Sequence, residues 1–206
     1  IFPVALYIRR QLPETIDVGA HRRSEPVLRT LMRRHARAVA LGVLVVAGGT
    51  ISTYVFTYMT TYAITTLHLS AAIGMTLNLT GALGAMAGMM LGAWIDRFGR
   101  KPMLIASRVV FLLILYPAYV VLVSPQASSQ VVVAVNVLLN FVFSIGIGAL
   151  YAFLTDAFPQ SVRASGLAIL YALGTTIFGG TTQFVVAWLI DLTGNPMMPG
   201  WYQMIS

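Results

Sequence analysis

Long apolar stretches alternate with short polar breaks along this chain, and the stretches have the length of a bilayer crossing. Residues 38–67, 71–95, 103–123, 131–155 and 164–190 each supply the roughly 20 mostly apolar residues that a spanning helix needs. Between them, at 67–70, 96–102, 124–130, 156–163 and 191–200, lie the Gly, Pro, Ser, Asn and charged residues that punctuate helices. In lipid a segment must satisfy its own backbone groups, so each run is predicted to be a transmembrane helix. The expected fold class is an all-α polytopic membrane protein. Residues 1–8 read as the end of a preceding span, and 9–37 as a central loop. Residues 38–206 read as five full spans plus the start of a sixth at Trp201.

Polar side chains inside the runs recur at helical spacing. In the first run, Thr50, Thr53, Tyr54, Thr57 and Thr61 share one face, with Tyr58 and Tyr62 beside it. In the fourth, Asn136, Asn140 and Ser144 are spaced by four and form one stripe. Gln183 and Tyr171 are weaker instances in the fifth. Hydroxyls and amides are costly against lipid, so these faces turn inward. Two readings stay open: they line a substrate path, or they bond to the backbone and to neighbouring helices. Gly84, Gly88 and Gly92 make a small-xxx-small ridge along the second run, suited to close helix contact. No Asp or Glu lies at mid-span; Asp96, Asp156 and Asp191 fall at run ends.

Composition agrees with this picture and narrows it. Of the 206 residues, 58% are hydrophobic and only 9% charged, far below the ~25% of a soluble domain. The net charge of +7 does not point to nucleic acid, because its positions make no continuous basic face. Eight of the thirteen basic residues lie between Arg9 and Arg37, and Arg97, Arg100, Lys101 and Arg163 sit in the breaks after the second and fourth runs. The breaks near His68, at 124–130 and at 191–200 hold no Lys or Arg. By the positive-inside rule the basic loops are cytoplasmic. Arg108, one turn inside the third run, is expected to snorkel to that same side. Cysteine is absent, which excludes thiolate metal sites. His21, His35 and His68 are the only histidines, and neither H-E-x-x-H nor G-x-S-x-G occurs. No metal, cofactor or enzymatic activity is therefore expected.

The break after the second run reads Gly92-Ala93-Trp94-Ile95-Asp96-Arg97-Phe98-Gly99-Arg100-Lys101-Pro102. It resembles the G-x-x-x-D-R-x-G-R-[RK] signature that follows the second and eighth spans of the twelve-span major facilitator superfamily. Gly99 permits a tight turn, Arg97, Arg100 and Lys101 anchor the cytoplasmic edge, and Asp96 can pair with them or cap the next helix. Arg10-Gln11-Leu12-Pro13-Glu14-Thr15 resembles the end of that superfamily's sixth span. Gly48-Gly49-Thr50 with Phe56-Thr57-Tyr58-Met59-Thr60-Thr61-Tyr62 is similar to the seventh span of its metabolite:proton symporter family. Phe158-Pro159-Gln160-Ser161-Val162-Arg163-Ala164-Ser165-Gly166 and Phe178-Gly179-Gly180-Thr181 are similar to that family around its eleventh span.

The resemblance implies spans seven to eleven, an incomplete C-terminal six-helix half of a major facilitator fold. It also implies proton-coupled transport of a small polar metabolite, an organic acid or a betaine- or proline-like solute, across a bacterial inner membrane. The partners implied are that solute, protons, the bilayer and the N-terminal half of the same protein. A drug-efflux or sugar-type carrier and a non-transporting scaffold or sensor remain as alternatives. Asp96 and Arg100, with Asp156 and Arg163 around the later loop, are candidates for a cytoplasmic gate of carboxylate–guanidinium pairs.

Overall fold

The computed structural model describes residues 36–95, 99–160 and 162–206. All their regular structure is helical: α1 (Ala36–Thr65), α2 (Ala71–Ile95), α3 (Arg100–Val123), α4 (Ser129–Ile145), α5 (Ile147–Asp156), α6 (Arg163–Leu173), a π-helical turn (Gly174–Gly179), α7 (Gly180–Thr193) and α8 (Met198–Ile205). Five stretches are long and apolar enough to cross a membrane: Ala36–Thr65, Ala71–Ile95, Pro102–Val123, Ser129–Asp156 and Arg163–Thr193. They coincide with the five runs in the sequence. The fourth is α4 and α5 joined at Gly146, and the fifth is α6, the π turn and α7. Among the described residues there is no strand. This is an all-α, multi-pass membrane protein.

The turns show why the helices end where they do. After α1 the chain closes through Leu67 N to Tyr62 O (3.1 Å) and Leu69 N to Ala63 O (2.9 Å), with His68 in the left-handed region at φ 53°. Gly99 takes φ 124°, a conformation that only glycine adopts without strain, so the chain turns into α3 where the sequence expects it. Ser128 caps α4, its side chain accepting from Val131 N, and Gly194 ends α7 at φ 64°.

Packing centres on two contacts. α2 and α4 lie against each other along the glycine ridge. A Cβ at Gly84 would stand 2.8 Å from the Val137 carbonyl oxygen, and Cβ atoms at Gly88 and Gly92 would overlap those of Phe141 and Ile145. Three glycines spaced by four meet three carbonyls spaced by four, so the backbones touch along three turns. α1 occupies the middle, against α2, α6, the π turn, α7 and α8. α8 is tied in by Gln203, whose Oε1 accepts from Tyr119 Oη (3.1 Å) and whose Nε2 donates to Ser52 O (3.5 Å). Tyr62 Oη donates to Pro196 O at 2.6 Å.

Buried apolar side chains form two clusters. One gathers Tyr58, Met59 and Tyr62 of α1 with Leu115 of α3 and Leu139 and Phe143 of α4. The other gathers Val39 and Val46 of α1 with Leu150, Leu154, Phe158 and Leu170, at the end bearing the 156–163 loop. Large apolar residues such as Met75, Leu79, Met90, Leu113 and Phe184 are exposed, a surface that only lipid or further helices would cover.

Candidate functional site

A cavity of about 300 Å³ opens at the seam between the two apolar clusters. α1 contributes Thr50, Thr53 and Tyr54, α4 and α5 contribute Phe143 and Tyr151, α6 and the π turn contribute Tyr171 and Thr175, and α3 contributes Arg108. Two irregular backbone segments border it. Gly146 breaks the fourth span, and a Cβ there would overlap Ser107 Oγ of α3. The π turn Gly174–Gly179 lies against α1 through its glycines: a Cβ at Gly179 would stand 2.7 Å from the Tyr54 ring and 3.0 Å from Thr50 Cγ2. π turns and broken spans concentrate at functional sites because they re-aim side chains and free backbone groups.

A second cavity, about 220 Å³, continues along the same face of α1 and shares Thr53, Phe143 and Ile147 with the first. Here Thr57 faces Asn140 and Ser144 of α4 and Asn78 of α2. The hydroxyl face of α1 and the amide stripe of α4, separate patterns in the sequence, thus meet across one space.

The local bonding sorts the candidates. Thr53 Oγ1 donates to Gly49 O (2.9 Å) and Thr57 Oγ1 to Thr53 O (3.1 Å), which leaves both hydroxyls as acceptors toward the cavity. Asn136 is buried between α2 and α4 and donates Nδ2 to Leu77 O at 2.8 Å. Asn140 donates to Asn136 O at 2.9 Å. Gly81 makes room for both amides: a Cβ there would lie 2.9 Å from Asn136 Nδ2 and 3.1 Å from Asn140 Nδ2. Asn136 is thus spent on helix packing, while Asn140 bonds to its own helix and also lines the second cavity. Tyr58 belongs to the apolar core, and Thr61 and Gln183 stand exposed; none of these three lines either cavity.

Arg108 departs from its expected place. Its guanidinium does not reach back to the end of the span that begins at Arg100. Its Cζ lies 4.5 Å from the centroid of the Phe143 ring, at the middle of the fourth span, and its Nη2 is buried with no hydrogen-bond partner among the described residues. Attraction to the ring face holds the side chain there. Arg108 in this role, with Asn78, Tyr151 and Thr175, was missed by sequence reasoning. The signal available for Arg108 was a charge inside an apolar run.

Of the signature loop, Asp96 and Arg97 lie outside the described residues, as do the side chains of Arg100 and Lys101. Gly92 is buried in the α2–α4 ridge. Arg163 donates Nε to Phe158 O at 3.3 Å, closing the loop that begins at the exposed Asp156.

The family profile described as Major Facilitator Superfamily matches residues 1–182. The chain belongs to the major facilitator superfamily. Curated relatives align along most or all of its length. It is 32% identical to the citrate-proton symporter of Klebsiella pneumoniae over 211 residues, which is 100% of this chain and 47% of that protein. It is 30% identical to the alpha-ketoglutarate permease of Escherichia coli, covering 88% of this chain and 42% of the permease. To the ectoine/proline transporter ProP of Corynebacterium glutamicum it is 27% identical, covering 98% and 43%. The chain spans about half the length of these relatives. No solved structure matches it.

Proposed function

We propose that this chain is the C-terminal half of a proton-coupled symporter of a small polar metabolite, working by alternating access in a bacterial inner membrane with its central loop cytoplasmic. The observation that carries this reading is the end-to-end alignment with named symporters and permeases of organic acids and zwitterionic solutes. The geometry supports it: two contiguous cavities, lined by hydroxyls, amides and aromatic rings, run along the polar face of α1 at the depth where such carriers bind solute. The N-terminal half of the same protein would supply the opposite wall and the proton-accepting group. Asp156 and Asp191, the acids among the described residues, sit at span ends and line neither cavity. The relatives' names favour symport over drug efflux, sugar carriage or a scaffold role.

The test is uptake by the full-length carrier in proteoliposomes under an imposed proton gradient, with citrate, 2-oxoglutarate and glycine betaine as solutes. At least one solute is expected to accumulate, and a protonophore is expected to abolish the accumulation. The isolated 206 residues are expected to give no uptake above empty liposomes. Failure of all three solutes with a folded full-length carrier sinks the reading.

A further inference from the structure

We propose that Arg108 is the anchor for a substrate carboxylate, and that the solute is therefore a net organic anion. The inference rests on the carrier reading above and names the substrate class of its site.

A guanidinium is charged at every physiological pH, and taking it out of water is unfavourable unless an anion compensates. Arg108 has Phe143 beneath it, and a ring face compensates only part of that loss. Its Nη2 is buried and unsatisfied among the described residues, so at least one donor is held ready. The described acids do not answer it, since neither Asp156 nor Asp191 lines the cavities that Arg108 borders.

Arg108 stands in the wall between two spaces, and their chemistry decides which one takes the anion. On one side the polar lining is Ser52, Gln203 and Ser206, whose hydroxyl already donates to the Gln203 carbonyl. Both Gln203 amide atoms are already engaged, with Tyr119 and with the Ser52 carbonyl. On the other side are the hydroxyls of Thr50, Tyr54, Tyr151, Tyr171 and Thr175. A carboxylate entering that cavity would accept from the guanidinium and from hydroxyls, the donor set it requires. The cavity carries a cation and no described carboxylate, so on this wall the ammonium of a zwitterion would face a like charge and no counter-charge among the described residues. A second carboxylate, or hydroxyl groups, would instead meet the remaining Thr and Tyr hydroxyls.

The experiment uses purified full-length carrier, with citrate, 2-oxoglutarate and glycine betaine as probes. Calorimetric binding and proton-driven uptake are measured for wild type, Arg108→Gln and Arg108→Lys. Wild type is expected to bind at least one of the two anions more tightly than glycine betaine. Arg108→Gln should weaken anion binding and raise its KM by at least about thirtyfold, the lower end for truncating a buried charged contact. Arg108→Lys keeps the charge but loses the fork, and should fall between them. If Arg108→Gln does not fold, the Lys variant decides: anion affinity equal to wild type overturns the proposal. Wild-type anion KM in a folded Arg108→Gln carrier overturns it too, and would leave Arg108 as a packing residue. So does tighter wild-type binding of glycine betaine than of both anions. Anion binding that depends on Arg108 without any uptake by wild type would keep the site and overturn the carrier reading instead.

Discussion

Gly88 of α2 and Gly180 of α7 should respond in opposite ways to the same added methyl group. At Gly88 the new Cβ overlaps the Phe141 carbonyl, a backbone atom that cannot rotate away. Gly88→Ala should therefore destabilise the full-length carrier by about 1–3 kcal/mol, as overpacking does. The readout is a lower melting midpoint and a smaller monodisperse fraction in detergent. At Gly180 nothing lies within 4 Å, so Gly180→Ala should be neutral or stabilise by up to ~1 kcal/mol through helix propensity. Equal melting of the two variants would mean that α2 and α4 are not in backbone contact. The two asparagines should separate in the same way. Asn136→Leu removes the bond to Leu77 O and crowds Gly81, so it should reduce the yield of folded protein. Asn140→Leu changes a cavity wall and should raise KM about tenfold, the size of one lost hydrogen bond of ~1.4 kcal/mol, with expression intact. Unchanged KM in a well-expressed Asn140→Leu carrier would make that amide purely structural.

The element that most shapes the site is the π turn in the fifth span. The sequence predicts an uninterrupted helix over 164–190, and the runs of Thr and Gly at 174–182 give no periodic sign against it. The structure shows that Gly174 and Gly179 let this span approach α1 at Val46, Thr50 and Tyr54. Thr181 and Thr182 return their hydroxyls to Ile177 O (2.6 Å) and Phe178 O (2.5 Å), satisfying carbonyls beside the wide turn. Moving α7 against α1 during transport would open or close this contact. Gly179→Ala should push the Tyr54 ring and bias that motion. The expected result is turnover slower by about tenfold, a bias of ~1.4 kcal/mol, with folding retained. Wild-type turnover in Gly179→Ala would show that the π turn is static packing. The break at Gly146 in the fourth span has the same origin, a glycine where another helix comes too close for a side chain.

For the whole molecule, the gate proposal concerns how two halves share their time between inward- and outward-open forms. We propose, from the positive-inside expectation, that Asp96 and Arg100 after α2, and Asp156 and Arg163 around the α5–α6 loop, share the cytoplasmic rim. Exposed ion pairs contribute ~0–1 kcal/mol, and partly desolvated ones more, yet ~1.4 kcal/mol already changes a population ratio tenfold. Asp96→Asn should therefore slow cycling more than it weakens solute binding, and favour the inward-open form. Labelling of single cysteines along the cavity would report the shift. Inward and outward labelling that matches wild type would leave the loop as a topological anchor. Exchanging the charge of Asp156 with that of its basic partner should recover part of any loss from either single change.

What the sequence determined by itself follows from short-range physics. The number and ends of the spans depend on hydropathy and turn residues, properties of consecutive residues. The Gly84–Gly88–Gly92 ridge was legible for the same reason, because spacing by four puts small residues on one face. The polar faces of α1 and α4 were legible as faces, but their partners were not. Whether Asn136 bonds to a solute or to Leu77 O depends on which helix lies opposite. So does the position of Arg108: spacing places it about one turn inside the third run, and only the approach of Phe143 from another helix draws its guanidinium inward. Tertiary structure decided those contacts because each joins atoms far apart in sequence, whose meeting no local pattern encodes.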